Sequence, residues 1–228
     1  MYKEVNDKNI NGKEIVKSGY NKCTNQYNLV RMKELEPSLE LLTKHLNSNC
    51  NILDIGCGTG IPIDQFLSDF GNVTGIDISE KQIELAKKNV PGSVYFTADI
   101  MEFELQNKFY DAIVSYYTIF HIPKKEHKKL FQKIYNALKP NGFFLCTLTQ
   151  DEKPSYIKDD FFKTEMYWSN LGLAEYKQLL NKVGFQILHI GNLNKNYSEN
   201  YQPDSKSRPI VCSRKQQFQD RDLRSRLY

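Results

Sequence analysis

The chain lacks any run near the ~18 consecutive apolar residues that a membrane-spanning helix requires, so no membrane partner is expected. Its opening, MYKEVNDKNINGKEIVK, is polar and has no apolar centre of the kind a signal peptide carries. A cytoplasmic protein is the resulting expectation. Five cysteines (Cys23, Cys50, Cys57, Cys146, Cys212) form no C-x-x-C pair, which removes the usual signature of a zinc site or a redox dithiol. Their odd number also speaks against a disulfide framework, and buried thiols are expected instead. Internal repeats and low-complexity blocks are missing. A strong basic balance is missing too. Net charge is +4, but Arg214 to Tyr228 supplies +3 of it, leaving the body at +1. The body therefore lacks the electrostatic footprint of nucleic-acid binding, and nucleic acid is not the expected partner.

What is present is the composition of an ordinary globular protein, of a length that fits one large domain. Strand and helix patterns alternate. Asn51 to Ile55, Asn72 to Ile76, Ser93 to Thr97, Tyr110 to Ser115, Gly142 to Thr149, Phe185 to Ile190 and Pro209 to Ser213 read as strands. Helices are expected at about Ser18 to Leu46 (one or two), Ile61 to Phe70, Ser79 to Asn89, Lys124 to Leu138 and Leu173 to Val183. Ser79 and Gln82 form a capping-box pattern, and Leu130, Phe131, Ile134, Ala137 and Leu138 share one helical face. Seven strands separated by helices predict a doubly wound α/β fold: a mostly parallel seven-stranded sheet covered on both faces. The expected organisation is a polar arm at 1–17, one domain at 18–213 and a basic tail at 214–228. Within the domain, 18–49 forms N-terminal helices and 150–172 an irregular loop.

The first strand runs into a turn, ILDIGCGTG, whose glycines Gly56, Gly58 and Gly60 let backbone approach a ligand. In such folds that ligand lies at the carboxyl ends of the strands. A dinucleotide fingerprint needs G-x-G-x-x-G, but its third glycine position is Ile61 here. Asp54 precedes the turn, where it would repel a phosphate and attract an ammonium group. S-adenosylmethionine has the ammonium and no phosphate. Asp77 ends the second strand, twenty-one residues after Gly56, and can accept both hydroxyls of a ribose. Asp99 ends the third and can accept from an adenine amino group. Each acid alone could be a turn or cap residue. Three at successive strand ends are far more specific.

ILDIGCGTG, VTGIDIS, FTADI and FYDAIVSYYTIFHIP together resemble the successive motifs of class I S-adenosylmethionine-dependent methyltransferases. The resemblance covers about Ser18 to Ile190. SYYTIFHIPKKEHKKLFQKIYNALKPNGFFLCTL and MYWS are further similar to a bacterial branch acting on small molecules. It implies a Rossmann-like fold with an N-terminal helical lid. It places the methionine portion of the cofactor on Asp54 and the glycine turn, the ribose on Asp77, and the adenine on Asp99 and Ile100 with Ile78 packed on its face. Tyr20 and Tyr27, seven apart on one helical face, fall in the lid segment. Ser115 and Tyr116 complete the cofactor side. Tyr117, His121, Tyr167 and Trp168 are the candidates for the acceptor side, the last two in the 150–172 loop that the resemblance puts on that side. No metal is implied.

Methyl transfer is an in-line displacement, and the protein's task is alignment and exclusion of water. A base is needed only for a protonated acceptor. His121 is the candidate base, with Tyr20 and Tyr117 as candidate catalytic partners. His127, amid KKEHKK, reads as solvated. The position after the fourth strand reads SYYT, not the Asp/Asn-Pro-Pro-Tyr of adenine methylation, and no Pro-Cys pair for pyrimidine methylation exists. A small-molecule acceptor follows, with S-adenosylhomocysteine as coproduct and a monomer or homodimer expected. Two alternatives stay open: an RNA methyltransferase using the arginine-rich tail, and a cofactor-binding protein without catalysis.

Overall fold

The computed structural model describes residues 2–31, 37–192 and 208–216. The central sheet is built from β2 (Cys50–Ile55), β3 (Gly71–Asp77), β4 (Val94–Thr97), β5 (Tyr110–Ser115), β6 (Leu138–Thr147), β9 (Phe185–Asn192) and β10 (Pro209–Lys215). Their spatial order is β4-β3-β2-β5-β6-β10-β9. The strands β4, β3, β2, β5 and β6 pair in parallel and β9 points the same way, while β10 is reversed, antiparallel to both β6 and β9. All seven strands expected from the sequence are present.

Alternation along the strands sends side chains to two cores. Leu53, Ile55, Ile113, Phe144 and Cys146 join one apolar cluster, and Ile52, Ala112, Val114 and Leu145 join the other. Both clusters are covered, which is why these strands read as near-continuous apolar runs. The helices are α1 (Gly12–Arg31), α2 (Glu40–Thr43), α3 (Ile63–Leu67), α4 (Glu80–Asn89), α5 (His127–Ala137) and α6 (Leu173–Val183). Leu130, Phe131, Ile134 and Ala137 of α5 are fully buried, as their shared face requires. Ser79 caps α4 by accepting from Gln82 N at 3.2 Å. The capping box is only half formed, since Gln82 Oε1 is buried without a hydrogen-bond partner among the described residues.

Five expectations are corrected. The segment 150–172 is no irregular loop: β7 (Lys153–Phe161) and β8 (Thr164–Asn170) form a hairpin, which β1 (Tyr2–Glu4) extends to a second, three-stranded sheet. The 1–17 arm therefore carries a strand and the start of α1. Strand β6 begins at Leu138, so Pro140-Asn141-Gly142 lies within it and not before it. His127 is fully buried, not solvated. It stands three and four residues before Leu130 and Phe131 and shares their inward face, while its charged neighbours point elsewhere. The tail expected from Arg214 starts inside β10. Lys215 Nζ is committed to the carbonyls of Tyr135 and Leu138 at 2.7 and 2.8 Å. Residues 217–228 of that tail lie outside the described residues.

Candidate active site

A cavity of about 330 Å³ opens at the carboxyl ends of β2, β3, β4 and β5, within the range of small-ligand pockets (~300–1,000 Å³). Asp54, Gly56, Gly58, Asp77, Ile78, Asp99, Ile100, Tyr116, Tyr117 and His121 all line it, with Tyr20 and Tyr27 from α1. The sequence candidates are thus brought together, with four exceptions. Gly60 faces Tyr95, away from the cavity lining. Ser115 is buried and donates to the Ile55 carbonyl at 3.0 Å. Tyr167 is fully buried, its hydroxyl donating to Asp7 at 2.8 Å. Trp168 stacks on Tyr156 with ring centroids 5.5 Å apart. Tyr167 and Trp168 stand behind His121 instead of lining the cavity.

The glycine turn is tight because it must be. Gly56 has φ of +77°, and a methyl group there would lie 1.9 Å from Thr118 Oγ1. Asp77 then fastens the turn to the sheet. Its Oδ2 accepts from Gly58 N at 3.0 Å and its Oδ1 from Ser79 N at 2.8 Å. Burial pushes Asp77 up to about 6, against the pull of those backbone donors. Each carboxylate oxygen keeps a second lone pair for a ligand hydroxyl. Asp99 is also occupied: Oδ1 accepts from Met101 N at 2.8 Å, and Lys13 Nζ lies 2.7 Å from Oδ2.

Helix α1 roofs the cavity. Lys13, Tyr20 and Tyr27 recur every seven residues on its inner face, so Lys13 was within reach of the same periodicity that marked the two tyrosines. Gly12 and Gly19 let α1 press on β8: an added methyl would meet the Tyr167 ring at 2.8 Å and the Glu165 carbonyl at 2.6 Å. On the other side Asn21 clasps the start of α4. Its Oδ1 accepts from Ser79 Oγ at 2.6 Å, and its Nδ2 donates to Glu80 Oε2 at 2.8 Å.

At the acceptor end Tyr117 adopts φ of +58°, a strained conformation for a bulky residue of the kind found at functional sites. Its N–H donates to Thr147 Oγ1. One helical turn, Ile119–His121, then carries His121 to the cavity wall. His121 Nδ1 lies 2.6 Å from the Tyr167 carbonyl, which can only accept, so Nδ1 bears the proton. Nε2 therefore offers a lone pair, and the Tyr20 hydroxyl donates to it at 3.1 Å. Burial pushes His121 down to about 4, the Tyr167 carbonyl opposing and the Arg208 guanidinium assisting. Burial likewise holds the Tyr20 phenol well above its usual range. His127 stiffens the segment from below, with Nε2 donating to the Ile122 carbonyl at 2.9 Å and Nδ1 3.2 Å from the Tyr176 hydroxyl.

A nucleotide-like ligand with an amino-acid end fits this donor set: buried carboxyls for hydroxyls and an ammonium, apolar Ile78 and Ile100 for a base, and, among the described residues, no basic side chain at the glycine turn to hold phosphate. Comparison with known proteins agrees. A family profile described as a methyltransferase domain matches residues 52–142. The phosphoethanolamine N-methyltransferase of Plasmodium falciparum is 31% identical over 168 residues, covering 70% of this chain and 62% of that protein. The chain carries a methyltransferase domain of the class I S-adenosylmethionine-dependent type.

Two further proteins are similar to this chain. The carboxy-S-adenosyl-L-methionine synthase of Nautilia profundicola is 28% identical over 163 residues, covering 66% of this chain and 69% of that protein. A Burkholderia thailandensis 1,6-didemethyltoxoflavin N1-methyltransferase, solved with S-adenosylhomocysteine, superposes with a TM-score of 0.69 at 15% identity over 95% of both chains. This last likeness is one of fold. The chain spans about three fifths of the first of these curated relatives. Besides Lys13, two residues near the glycine turn carry no mark in the sequence pattern. Thr118 packs against the glycine turn, and Asp64, in IPIDQFL, stands as a lone acid in an apolar helix.

Proposed function

We propose that this chain moves a methyl group from S-adenosylmethionine to an oxygen or nitrogen of a small-molecule acceptor. The observation that carries the reading is the Tyr20–His121 contact of 3.1 Å in the wall of a cavity that strand-end acids line. When bound, the sulfonium supplies the activated methyl. The chain's own residues do the rest. Asp77 holds the ribose hydroxyls, Ile78 and Ile100 flank the base, and Asp54 faces the ammonium. Tyr116 and Tyr117 stand beside the sulfonium's expected place. Helix α1, packed on the hairpin, excludes water from the reacting atoms.

His121 is neutral at physiological pH and presents Nε2 to Tyr20. An acceptor O–H or N–H can pass its proton to the Tyr20 oxygen as Tyr20 passes its own to Nε2. The carbonyl of Tyr167 then stabilises the imidazolium through Nδ1. The roofed cavity favours a small acceptor, since a polymer would have to displace α1. Relatives are named for phosphoethanolamine and arsenite methylation, both small acceptors, and another for O-methylation in ubiquinone biosynthesis. Among the described residues no helix is long and apolar enough to cross a membrane.

The direct test is thermal unfolding with ligand. S-adenosylhomocysteine at about a hundred times its Kd should stabilise by ~2.7 kcal/mol. For a chain of this size that is roughly 5–10 °C in Tm. NAD should leave Tm unchanged. A rise with NAD and none with S-adenosylhomocysteine would sink the reading. Turnover of labelled S-adenosylmethionine against a metabolite extract then identifies the acceptor.

A further inference from the structure

Asp64 is a buried acid for which the mechanism above has no use. It sits on α3 immediately after the glycine turn, with 0% of its surface exposed, and Asp54 on β2 is 2% exposed. Both Asp64 oxygens and Asp54 Oδ1 lack a hydrogen-bond partner among the described residues. The two carboxyls nonetheless face each other, and the Tyr95 hydroxyl from β4 faces Asp64. The remaining titratable neighbours are Cys57 in the turn and Asp77 on β3. None of these groups is a cation, and the ion pairs among the described residues lie elsewhere. Asp54 lines the cavity and Asp64 stands behind it.

Two adjoining carboxylates removed from water and without a countercharge cannot both stay ionised. Burial pushes Asp64 up to about 7, and burial, then Asp64, then Asp77 hold Asp54 well above the usual carboxylate range. As a coupled pair they hold at least one proton between them at neutral pH. A cation arriving beside Asp54 would supply the missing charge. On the reading of the cavity given above, that cation is the ammonium of the donor's amino-acid end.

We propose that Asp64 shares a proton with Asp54 in the empty site and that docking of the donor's ammonium expels that proton to solvent. One positive charge replaces another, and the proton goes to the buffer. Asp64 is thus a positioning residue acting through Asp54, and it makes donor affinity depend on pH. Protons released on binding mean that affinity rises with pH. The window lies below the empty pair's titration, where the Kd for S-adenosylhomocysteine should fall by up to about tenfold per pH unit.

Calorimetric titration in two buffers of different ionisation enthalpy counts the protons. At about pH 6.5, S-adenosylhomocysteine should release close to one proton from the wild-type protein. 5′-Methylthioadenosine, which lacks the amino-acid end, should bind and release none. In Asp64→Asn the amide donates to Asp54 in place of the shared proton, so S-adenosylhomocysteine should bind with release near zero. Binding of S-adenosylhomocysteine to the wild type without proton release overturns the proposal and leaves the methyltransferase reading intact. Equal release with 5′-methylthioadenosine, or undiminished release in Asp64→Asn, overturns it as well. Failure of both nucleosides to bind removes the cofactor reading and this proposal with it. The wild-type comparison stands even if the variant does not fold.

Discussion

Replacing His121 by alanine should lower kcat by roughly 10²- to 10⁴-fold, the span of a positioned proton acceptor, with S-adenosylhomocysteine affinity nearly kept. The imidazole's lone pair is directed at one group, the Tyr20 hydroxyl at 3.1 Å, and its other nitrogen is fixed by a carbonyl. Tyr20→Phe provides the sharper comparison, because it deletes one oxygen and keeps the ring that packs on Tyr27 at 5.3 Å and on Phe161 at 5.9 Å. A relay predicts that Tyr20→Phe approaches the His121→Ala loss. Mere lid packing predicts a variant close to wild type. The pH profile gives an independent check. A histidine held down to about 4 is a competent acceptor throughout the neutral range. Wild-type kcat should therefore show no histidine-like rise near ~6.5 and should fall only as pH drops toward the depressed value. An ascending limb centred near the ordinary imidazole value would contradict the depressed state of His121, and the same limb kept in His121→Ala would remove His121 from the proton path.

How far the sequence reaches is clearest where it stops. Tyr110 to Ser115 and Leu173 to Val183 are read to the residue because apolar periodicity and a helix-ending glycine mark them. The strand-end acids are legible for the same reason: the topology of alternating strands and helices puts Asp54, Asp77 and Asp99 at one edge. The β7–β8 hairpin is not legible. Its two-residue turn is Phe162-Lys163, with φ of +50° and +65°, and neither residue is one of the Asn or Gly types that signal such a turn. Missing that hairpin also misplaced Tyr167 and Trp168. The sequence pattern puts them in an acceptor-side loop, whereas strand alternation and the contact of α1 with β8 turn them into packing behind His121. His127 failed through composition, since charge in the flanking sequence outweighed its helical phase. Asp64 failed because an acid near a helix start is ordinarily a favourable dipole partner at the surface, and only the fold shows it buried.

Replacing Asp77 by alanine should weaken S-adenosylhomocysteine binding by two to three orders of magnitude. Two hydrogen bonds from ligand hydroxyls to an ionised acceptor are worth roughly 1.5–3 kcal/mol each. Some of that is withheld by desolvation: Asp77 is raised to about 6, so its ionised form is disfavoured in the fold. A raised carboxyl destabilises the empty protein as pH climbs from the unfolded value toward the folded one. Losing Asp77 therefore removes a cost as well as the bonds to Gly58 N and Ser79 N. The empty variant's Tm should change much less than its affinity. A purely structural role for Asp77, holding the glycine turn in place, would also weaken binding, so affinity alone does not discriminate. The 2′-deoxyribose form of S-adenosylhomocysteine does. The wild type should prefer the natural ribose by about tenfold or more, and Asp77→Ala should lose most of that preference, because the acceptor for the missing hydroxyl is gone in both partners of the comparison. Unchanged discrimination in the variant would confine Asp77 to fastening the turn and would leave the ribose to other residues of the cavity.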